Sequence, residues 1–242
     1  MSGVQLSVVI PAYNEAERLP PTLERVLGYL RGRGVSHEVV VVDDGSRDRT
    51  VARARAVGGD TVTVLANEVN RGKGYSVRRG MLAARGARRL MTDADLSTPI
   101  EDLERLAARL DDGYQVAIGS RALPDSNVEI HQPWYRENMG RVFNAAVRLL
   151  ALPGLKDTQC GFKLFSAEAA QAAFSRAQLD GFSFDVEALF LARRLGYRIA
   201  EVPVTWRNDA ASRVGLWGGF RAFPDLMRIR WNALRGRYAP TE

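Results

Sequence analysis

Short apolar runs alternate with amphipathic stretches along the first half of the chain. The β-branched runs predict buried strands, and the stretches with apolar residues three or four apart predict helices. The predicted strands are 6–11, 39–42, 61–66, 89–92 and 116–119, and the predicted helices are 18–33, 47–57, 75–84 and 100–110. Strands and helices that alternate in this way indicate an α/β fold, with a mostly parallel central sheet flanked by helices.

The second half of the chain has a less regular pattern. It predicts helices at 138–150 and 184–195, a short strand at 162–165 and an alternating strand at 199–206. No linker rich in proline, glycine or serine divides the chain. We therefore predict one domain over residues 1–212, followed by a basic amphipathic helical segment over 213–242.

The C-terminal segment carries two spaced sets of residues. Its apolar residues, three or four apart, are Leu216, Phe220, Phe223, Met227, Trp231 and Leu234, and Arg221, Arg228 and Arg235 follow at intervals of seven. Such a helix can lie in a membrane interface with its arginines on anionic lipid, or it can pack its apolar stripe onto the body. In either case, Pro224 starts a second helix or kinks one.

Composition adds constraints on the compartment. A hydrophobic content of 46% in 242 residues fits a full-sized core, and no apolar run reaches the roughly 18–20 residues that span a bilayer. The N-terminus lacks the features of a signal peptide. One cysteine, Cys160, excludes an internal disulfide and is compatible with a reducing cytoplasm. We expect a cytoplasmic protein.

The net charge of +6 is concentrated at one end. Residues 213–238 contain six arginines and one aspartate, so this segment carries +5 and the remainder +1. A basic end on a near-neutral body suggests an anionic surface as partner, which fits a peripheral position at the inner face of a membrane. No zinc-finger, helix-turn-helix or aromatic RNA-binding signature is present, so we expect no nucleic-acid partner. The sequence does not decide the oligomeric state, and a homo-oligomer is one alternative.

Polar motifs follow three predicted strands, at 11–15, 43–46 and 93–97. In open parallel sheets, ligands gather at the carboxyl ends of the strands. Asp93 and Asp95 lie two apart, so in an extended chain they point to the same side and can share Mg²⁺ or Mn²⁺. The alternative is a polar turn with solvated acids.

Two further motifs suit a nucleotide diphosphate. Asp43 and Asp44 end a run of valines, where one can accept the imide N–H of uracil or guanine while the other caps the next helix. Residues 70–74 offer backbone N–H groups and the Lys73 cation at a helix start, a candidate phosphate cradle. The spacing is not that of a Walker loop, and no GxGxxG is present.

Other catalytic sets are missing from the sequence. The two histidines, His37 and His131, are isolated, which argues against a histidine triad or a zinc site. No GxSxG serine elbow occurs.

The motifs occur in the order and spacing of the family 2 glycosyltransferases. The resemblance rests on VVIPAYNE at 8–15, VVDDGS at 41–46, GKG at 72–74, DAD at 93–95 and GSR at 119–121. It narrows to the dolichyl-phosphate (polyprenyl-phosphate) β-glucosyltransferase subgroup through DTQCGFKLF at 157–165, FDVE at 184–187 and the Trp206…Ser212-Arg213 stretch. The match covers about residues 5–215.

The resemblance implies a GT-A fold, a divalent metal and specific residue roles. Nucleotide-sugar binding is implied for Pro11, Ala12, Tyr13, Glu15, Asp44, Lys73 and Asp93; metal binding for Asp93 and Asp95; acceptor-phosphate binding for Arg121, Arg136 and Arg213; and catalysis for Asp95, Asp157 and Glu187. The chain departs from the pattern in Leu96-Ser97, where smaller residues are expected, and in Arg213 for a lysine, and we expect it to lack an N-terminal membrane anchor.

The implied activity is inverting transfer of glucose from UDP-glucose to a polyprenyl or dolichyl phosphate at a membrane surface. The open alternatives are a polyprenyl-phosphate mannosyltransferase that uses GDP-mannose and a non-catalytic membrane-associated module. A processive polysaccharide synthase would need a QxxRW motif and membrane helices, and a nucleotidyltransferase would need a GxGxR loop; the sequence has none of these.

Overall fold

The computed structural model of the chain describes residues 3–130, 134–207 and 216–239. Its strands are β1 Leu6–Ala12, β2 His37–Asp43, β3 Val62–Ala66, β4 Arg88–Thr92, β5 Val116–Ser120, β6 Asn127–Ile130, β7 Phe162–Ser166, β8 Ile199–Pro203 and β9 Thr205–Arg207. Its α-helices are α1 Leu19–Arg33, α2 Thr50–Gly58, α3 Lys73–Ala83, α4 Leu103–Asp111, α5 Trp134–Leu150, α6 Ala167–Phe174, α7 Phe184–Arg194 and α8 Leu216–Leu234.

The described strands form a seven-stranded sheet in the order β3-β2-β1-β4-β7-β5-β8. The pairs on either side of β7 are antiparallel, and the other pairs are parallel. Strand β1 is buried at every position, as expected for a strand covered on both faces. The α/β class and the mostly parallel sheet predicted from the sequence are therefore confirmed.

Two apolar clusters cover the two faces of this sheet. One joins α3, α5, α6, α7 and α8 around residues such as Met81, Phe165 and Leu189. The other joins α1 and α4 around residues such as Leu23, Ile10 and Leu106. Because β1 and β2 are covered in this way, their polar carboxyl-terminal loops are what remains at the open edge.

Three elements differ from the prediction. The strand predicted at 199–206 is two strands: β8 joins the large sheet, whereas β9 pairs with β6 in a separate ladder. Strand β6 was not predicted, because its four residues alternate too briefly to stand out. Helix α6 was also missed, because its alanine-rich sequence has little polar contrast; Ser166 Oγ accepts the Ala169 N–H at its start.

Helix α8 packs on the body through Leu226 and Ile229, which lie outside the predicted stripe, together with Phe223 from that stripe. Leu226 and Ile229 are fully buried, and Phe223 packs edge-on against Phe143 with ring centroids 5.4 Å apart. By contrast, Met227, Trp231 and Leu234 of the predicted stripe are 60%, 52% and 79% exposed. The helix runs through Pro224, so this proline does not start a second helix. One apolar strip of α8 is thus buried against the body, and a second strip, with Met227, Trp231 and Leu234, is exposed.

The side chains of Leu216, Phe220 and Arg221 lie outside the described set, as do residues 208–215 with Arg213. Within the described helices, none has the length and apolar content needed to cross a membrane. The boundary at 212/213 stays a prediction, although the helix beyond it shares the core of the main body.

Substitutions on the two strips of α8 should separate core from surface. We expect Ile229→Ala to lower the free energy of unfolding by about 2–5 kcal/mol, because it leaves a cavity in a closed core. Leu234→Ala, the matched control on the exposed strip, should change it by no more than about 0.5 kcal/mol. Urea unfolding of both variants measures the difference, and equal effects would contradict this packing of α8.

Candidate active site

The loops after β1 and β2 form one platform at the carboxyl edge of the sheet. Ala12 pairs with Asp43 in parallel register, and the Asp44 N–H donates to the Ala12 carbonyl at 2.8 Å. Asn14 N–H donates to Ser46 Oγ at 2.8 Å, and Glu15 N–H donates to Thr50 Oγ1 at 2.8 Å. The PAYNE and DDGS motifs therefore hold each other, as expected for strand ends that meet at one edge.

The predicted nucleotide residues on this platform differ in exposure. Pro11 and Ala12 are buried, whereas the Tyr13 side chain is at the surface with 37% exposed. Glu15 forms an ion pair with Arg18 at 2.6 Å. A cleft of about 530 Å³ opens beside the platform between residues 14–18 and 47–53.

The two aspartates after β2 have different partners, and the helix cap predicted for one of them is wrong, because the N-cap residue of α2 is Arg49. Asp43 Oδ2 accepts the Ser46 N–H at 3.0 Å and closes its own turn. Asp44 Oδ1 accepts Asn67 Nδ2 at 2.8 Å and the Arg71 N–H at 3.0 Å, and its Oδ2 accepts the Gly72 N–H at 2.9 Å. A carboxylate offers about four acceptor positions. Asp44 therefore retains capacity for one further donor, as the N–H of a base requires.

The phosphate cradle predicted for residues 70–74 is wrong in its backbone part. The Gly72 N–H is taken by Asp44, and the Gly74 N–H donates to the Asp180 carbonyl at 2.8 Å. A Cβ at Gly72 would lie 2.3 Å from that carbonyl oxygen, and φ of Gly72 is 104°. These glycines thus allow the 179–181 loop to approach closely. The Lys73 ammonium remains as the cation of the motif.

Asp93, Asp95 and Lys73 meet where β4 ends. Lys73 Nζ lies 2.7 Å from Asp93 Oδ1, and Asp95 Oδ1 accepts the Ser97 N–H at 3.0 Å. Burial, and then the nearby Asp93 carboxylate, raise the pKa of Asp95. Burial alone would lower the pKa of Lys73, but Asp93 and Asp185 outweigh it and raise that pKa. The two predicted metal-binding carboxylates therefore do lie in one acidic pocket.

A second ion pair lies beneath this pocket, and the sequence did not point to it. Lys163 Nζ, with its side chain 2% exposed, lies 2.7 Å from Asp185 Oδ1 and also donates to the Cys160 carbonyl. Burial raises the pKa of Asp185, although Lys163 and Lys73 oppose that effect. The one signal was the lysine inside the apolar strand FKLFS, where a buried charge needs a partner.

The acidic pair and the 157–165 block are in direct contact. Thr92 pairs with Phe162 in the β4–β7 ladder, which sets Asp93 beside Gly161. A Cβ at Gly161 would lie 2.0 Å from Asp93 Oδ2. Glycine is therefore required at 161 for the Asp93 carboxylate to keep its position.

The pocket suits a divalent cation that is completed by a substrate. The described residues contain no group of three or more histidine, cysteine, aspartate or glutamate side chains placed to hold a metal by themselves. Mg²⁺ is commonly bound by one or two carboxylates together with substrate phosphates and water. Burial first, and the Asp93 carboxylate second, raise the pKa of Asp95, and a bound cation would oppose both effects. Asp93 and Asp95 therefore fit a metal that arrives with a phosphate ligand.

Asp157 and Arg121, predicted for catalysis and for the acceptor phosphate, bind each other. Arg121 donates from Nε to Oδ2 at 2.6 Å and from Nη2 to Oδ1 at 2.9 Å, and its backbone N–H donates to Oδ2 at 3.0 Å. Burial opposes ionisation of Asp157, but Arg121 outweighs it and lowers the pKa of this carboxyl to about 2. Arg121 also lies 5.3 Å from the Trp206 ring centre. The pair thus fixes the plane of the guanidinium.

Glu187, also predicted for catalysis, is not brought into this cluster. Glu187 is fully buried and accepts the N–H groups of Gln178 at 2.9 Å and Leu179 at 2.8 Å and the Tyr238 hydroxyl at 2.7 Å. Its carboxylate therefore ties the 178–181 loop to the C-terminus, and the described contacts give it a structural role. Arg136 lies in α5 with its side chain outside the described set, and Arg213 lies outside the described residues.

Comparison with known proteins decides the family. Residues 7–174 match the profile of Glycosyl transferase family 2. The chain belongs to this family. A dolichyl-phosphate β-glucosyltransferase of Homo sapiens is 38% identical over 250 residues, which cover 97% of this chain and 77% of the relative.

Solved structures match this family 2 glycosyltransferase in fold. The glucosyl-3-phosphoglycerate synthase of Mycobacterium tuberculosis, crystallised with Mn²⁺, UDP and phosphoglyceric acid, has a TM-score of 0.67 at 22% identity, covering 98% of this chain and 80% of that one. The mannosyl-3-phosphoglycerate synthase of Rubrobacter xylanophilus has a TM-score of 0.72 at 19% identity, covering 99% and 77%. The expected GT-A architecture is thereby confirmed.

The Asp157–Arg121 pair of this glycosyltransferase makes a pH-dependent contribution to stability. The folded pKa of about 2 lies below the usual value of about 3.9, so the contribution is complete above about pH 4 and is lost as pH falls towards 2. We expect Asp157→Asn to lower the free energy of unfolding by about 2 kcal/mol at pH 6 and by much less near pH 2. Urea titrations across this range measure the change.

The control for this experiment is Asp125→Asn, at an exposed aspartate. Its effect should be small at every pH. An Asp157→Asn difference that stays constant from pH 6 to pH 2 would contradict the assignment of the lowered pKa to this pair.

Proposed function

We propose that this family 2 glycosyltransferase transfers glucose from UDP-glucose to a polyprenyl or dolichyl phosphate with inversion. The observation that carries the proposal is the contact of Asp93 with Gly161. It joins the acidic pair to the 157–165 block, on which the resemblance to the glucosyl subgroup rests. The identity of 38% with the human dolichyl-phosphate β-glucosyltransferase, over nearly the whole chain, supports the same assignment.

The donor would lie along the edge formed by β1, β2 and β4. The Tyr13 side chain, 37% exposed on the same platform, is a candidate contact for the base, and the remaining acceptor position of Asp44 suits the imide N–H. Pro11, Ala12 and Glu15 shape the same platform. Lys73 is the cation nearest to Asp93 and suits the donor diphosphate.

A divalent metal would be held by Asp93 and Asp95. When bound, it supplies Lewis-acid stabilisation for the departing nucleotide diphosphate. The Mycobacterium tuberculosis synthase, crystallised with Mn²⁺ and UDP, supports metal use in this fold. Leu96 with φ of 48° and the Ser97 N–H bond hold the Asp95 carboxylate in its turn.

For the acceptor, the site must position the lipid phosphate; it does not have to remove a proton from it. A lipid phosphate is already anionic near pH 7, so no strong base is required to create the nucleophile. Arg121 binds Asp157 through Nε and Nη2, which leaves its Nη1 hydrogens for a phosphate oxygen. Asp157 then acts by holding Arg121, with Arg136 and Arg213 as further candidate cations. In-line attack on an α-linked donor would give a β-linked product.

The first experiment measures transfer from UDP-glucose to a short-chain polyprenyl phosphate with Mn²⁺ or Mg²⁺. We expect Asp95→Asn to reduce turnover by about a hundredfold or more without unfolding the protein, because a metal ligand is lost. Asp125→Asn is the matched control and should retain full activity.

The same assay with GDP-mannose tests the donor, because Asp44 can accept the similar N–H of guanine. Greater turnover of GDP-mannose would move the assignment to a mannosyltransferase. Full activity of Asp95→Asn in excess chelator would overturn the metal site.

We further propose that the protein acts at the cytoplasmic surface of a membrane, through helix α8. Met227, Trp231 and Leu234 are four and three apart and form one exposed face. Arg228, Arg230 and Arg235 are exposed beside it, and the Arg235 guanidinium lies 4.3 Å from the Trp231 ring centre. The neighbouring helix α5 exposes Val142 and Leu149. Apolar side chains flanked by arginines are the features of helices that lie in an anionic lipid interface.

Vesicle binding tests this surface. The double variant Trp231→Ala/Leu234→Ala should bind phosphatidylglycerol-containing vesicles at least about tenfold more weakly, because less apolar area enters the interface. Leu195→Ala, at an exposed leucine elsewhere, should bind like the unmodified protein. Transfer to a soluble short-chain acceptor should be unchanged in both. Equal vesicle binding by all three proteins would place the membrane contact outside α8.

A further inference from the structure

Lys73 lies beside Asp93 in the acidic pocket. Its Nζ lies 2.7 Å from Asp93 Oδ1, and the two side chains are 25% and 31% exposed. We propose that Lys73 is an internal cation that competes with the divalent metal for Asp93 and moves to the donor diphosphate, so that metal and nucleotide bind cooperatively. The inference rests on the proposed metal site and adds that the binding of the metal depends on the binding of the nucleotide.

The backbone that carries Asp93 is held by the sheet, and glycine at 161 leaves room for its carboxylate. Its Oδ2 lies over Gly161, at a place where even a methyl group would come within 2.0 Å. The paired strands β4 and β7 fix the backbone on both sides, through Thr92 and Phe162. A metal that binds Asp93 therefore meets the lysine at a carboxylate whose backbone stays in place, and metal and ammonium compete for that carboxylate.

The backbone of Lys73 is held in place, whereas its side chain can change conformation. It is the first residue of α3, and its neighbours Gly72 and Gly74 are held against the 179–181 loop. The backbone position is thus fixed, whereas the four-carbon stem of a lysine is flexible and carries a compact charge. The ammonium also lies 5.9 Å from the Phe184 ring centre, on the side towards α7.

Among the described residues, two further acids act on Lys73, namely Asp185 and Asp95, and Asp95 is the other carboxylate of the proposed metal site. Asp185 is the next acid that acts on Lys73, but it is already bound to Lys163 at 2.7 Å. Moving Lys73 off Asp93 without another anion leaves a partly buried charge poorly paired, which is unfavourable. A diphosphate beside the pocket supplies that anion. Metal alone should therefore bind weakly, and the nucleotide should tighten it by more than phosphate ligation to the metal accounts for.

Mn²⁺ binding in the absence of nucleotide tests the competition directly. We expect Lys73→Met to bind Mn²⁺ about tenfold more tightly than the unmodified protein without UDP, while its affinity for UDP falls. By reciprocity, the factor by which UDP tightens Mn²⁺ equals the factor by which Mn²⁺ tightens UDP. That shared factor should shrink in Lys73→Met. Free Mn²⁺ is followed by electron paramagnetic resonance, and UDP by calorimetry.

Three variants control the measurement. Lys156→Met removes the same charge from an exposed lysine and should leave Mn²⁺ affinity unchanged. Lys73→Arg keeps a cation beside Asp93 and should bind Mn²⁺ as weakly as the unmodified protein. Lys73→Gln repeats the test with a neutral polar side chain, should methionine disturb the fold near Phe184.

The outcomes separate this inference from the proposed function. If the unmodified protein binds Mn²⁺ with UDP but neither Lys73→Met nor Lys73→Gln binds Mn²⁺ more tightly without it, Lys73 is not a competitor and the inference is overturned. If the unmodified protein binds no Mn²⁺ even with UDP, the metal site of the proposed function fails, and the inference falls with it. Tighter Mn²⁺ binding in the two neutral variants and not in Lys73→Arg supports it.

Discussion

The site depends on ion pairs. The strands place charged side chains in a partly buried pocket, where each positive charge needs a nearby carboxylate. Buried ions are stable only with good partners, and here each ammonium has an acid: Lys163 with Asp185 and Lys73 with Asp93. The antiparallel strand β7 makes this possible, because it inserts between β4 and β5 and sets Gly161 beside Asp93. Segments far apart in the sequence therefore position one another.

Acidic residues that look alike in the sequence differ in the hydrogen-bond donors and cations that surround them in the structure. Asp157 is held by three N–H donors from Arg121, and Glu187 by three donors from the 178–179 backbone and Tyr238. Asp44 accepts three donors from a neighbouring loop. Asp93 is paired with the flexible ammonium of Lys73. What an acid can do chemically thus follows from how many protein donors already hold it.

The sequence alone predicted the elements whose signal is local. Strand β1 and the valines of β2 form continuous apolar runs, and the acids that follow strands mark the ligand edge. It did not predict the Lys163–Asp185 pair, because that contact needs the antiparallel insertion of β7. The backbone cradle at 70–74 failed for a related reason: its N–H groups were taken by Asp44 and by a loop a hundred residues away, and no local pattern reports that.

Helix α8 shows why periodicity without tertiary context gives a partial answer. Its apolar residues include enough positions for two strips, and spacing cannot say which strip meets the body. Leu226 and Ile229 enter the core, and Tyr238 beyond the helix bonds the buried Glu187, which in turn holds the 178–181 loop. That loop contacts Gly72 and Gly74 on either side of Lys73. The outward strip of Trp231 is therefore linked to the segment that carries Lys73 through a short series of buried contacts. Because these contacts are buried, a partner bound to the exposed strip of α8 would have a fixed orientation relative to the acidic pocket.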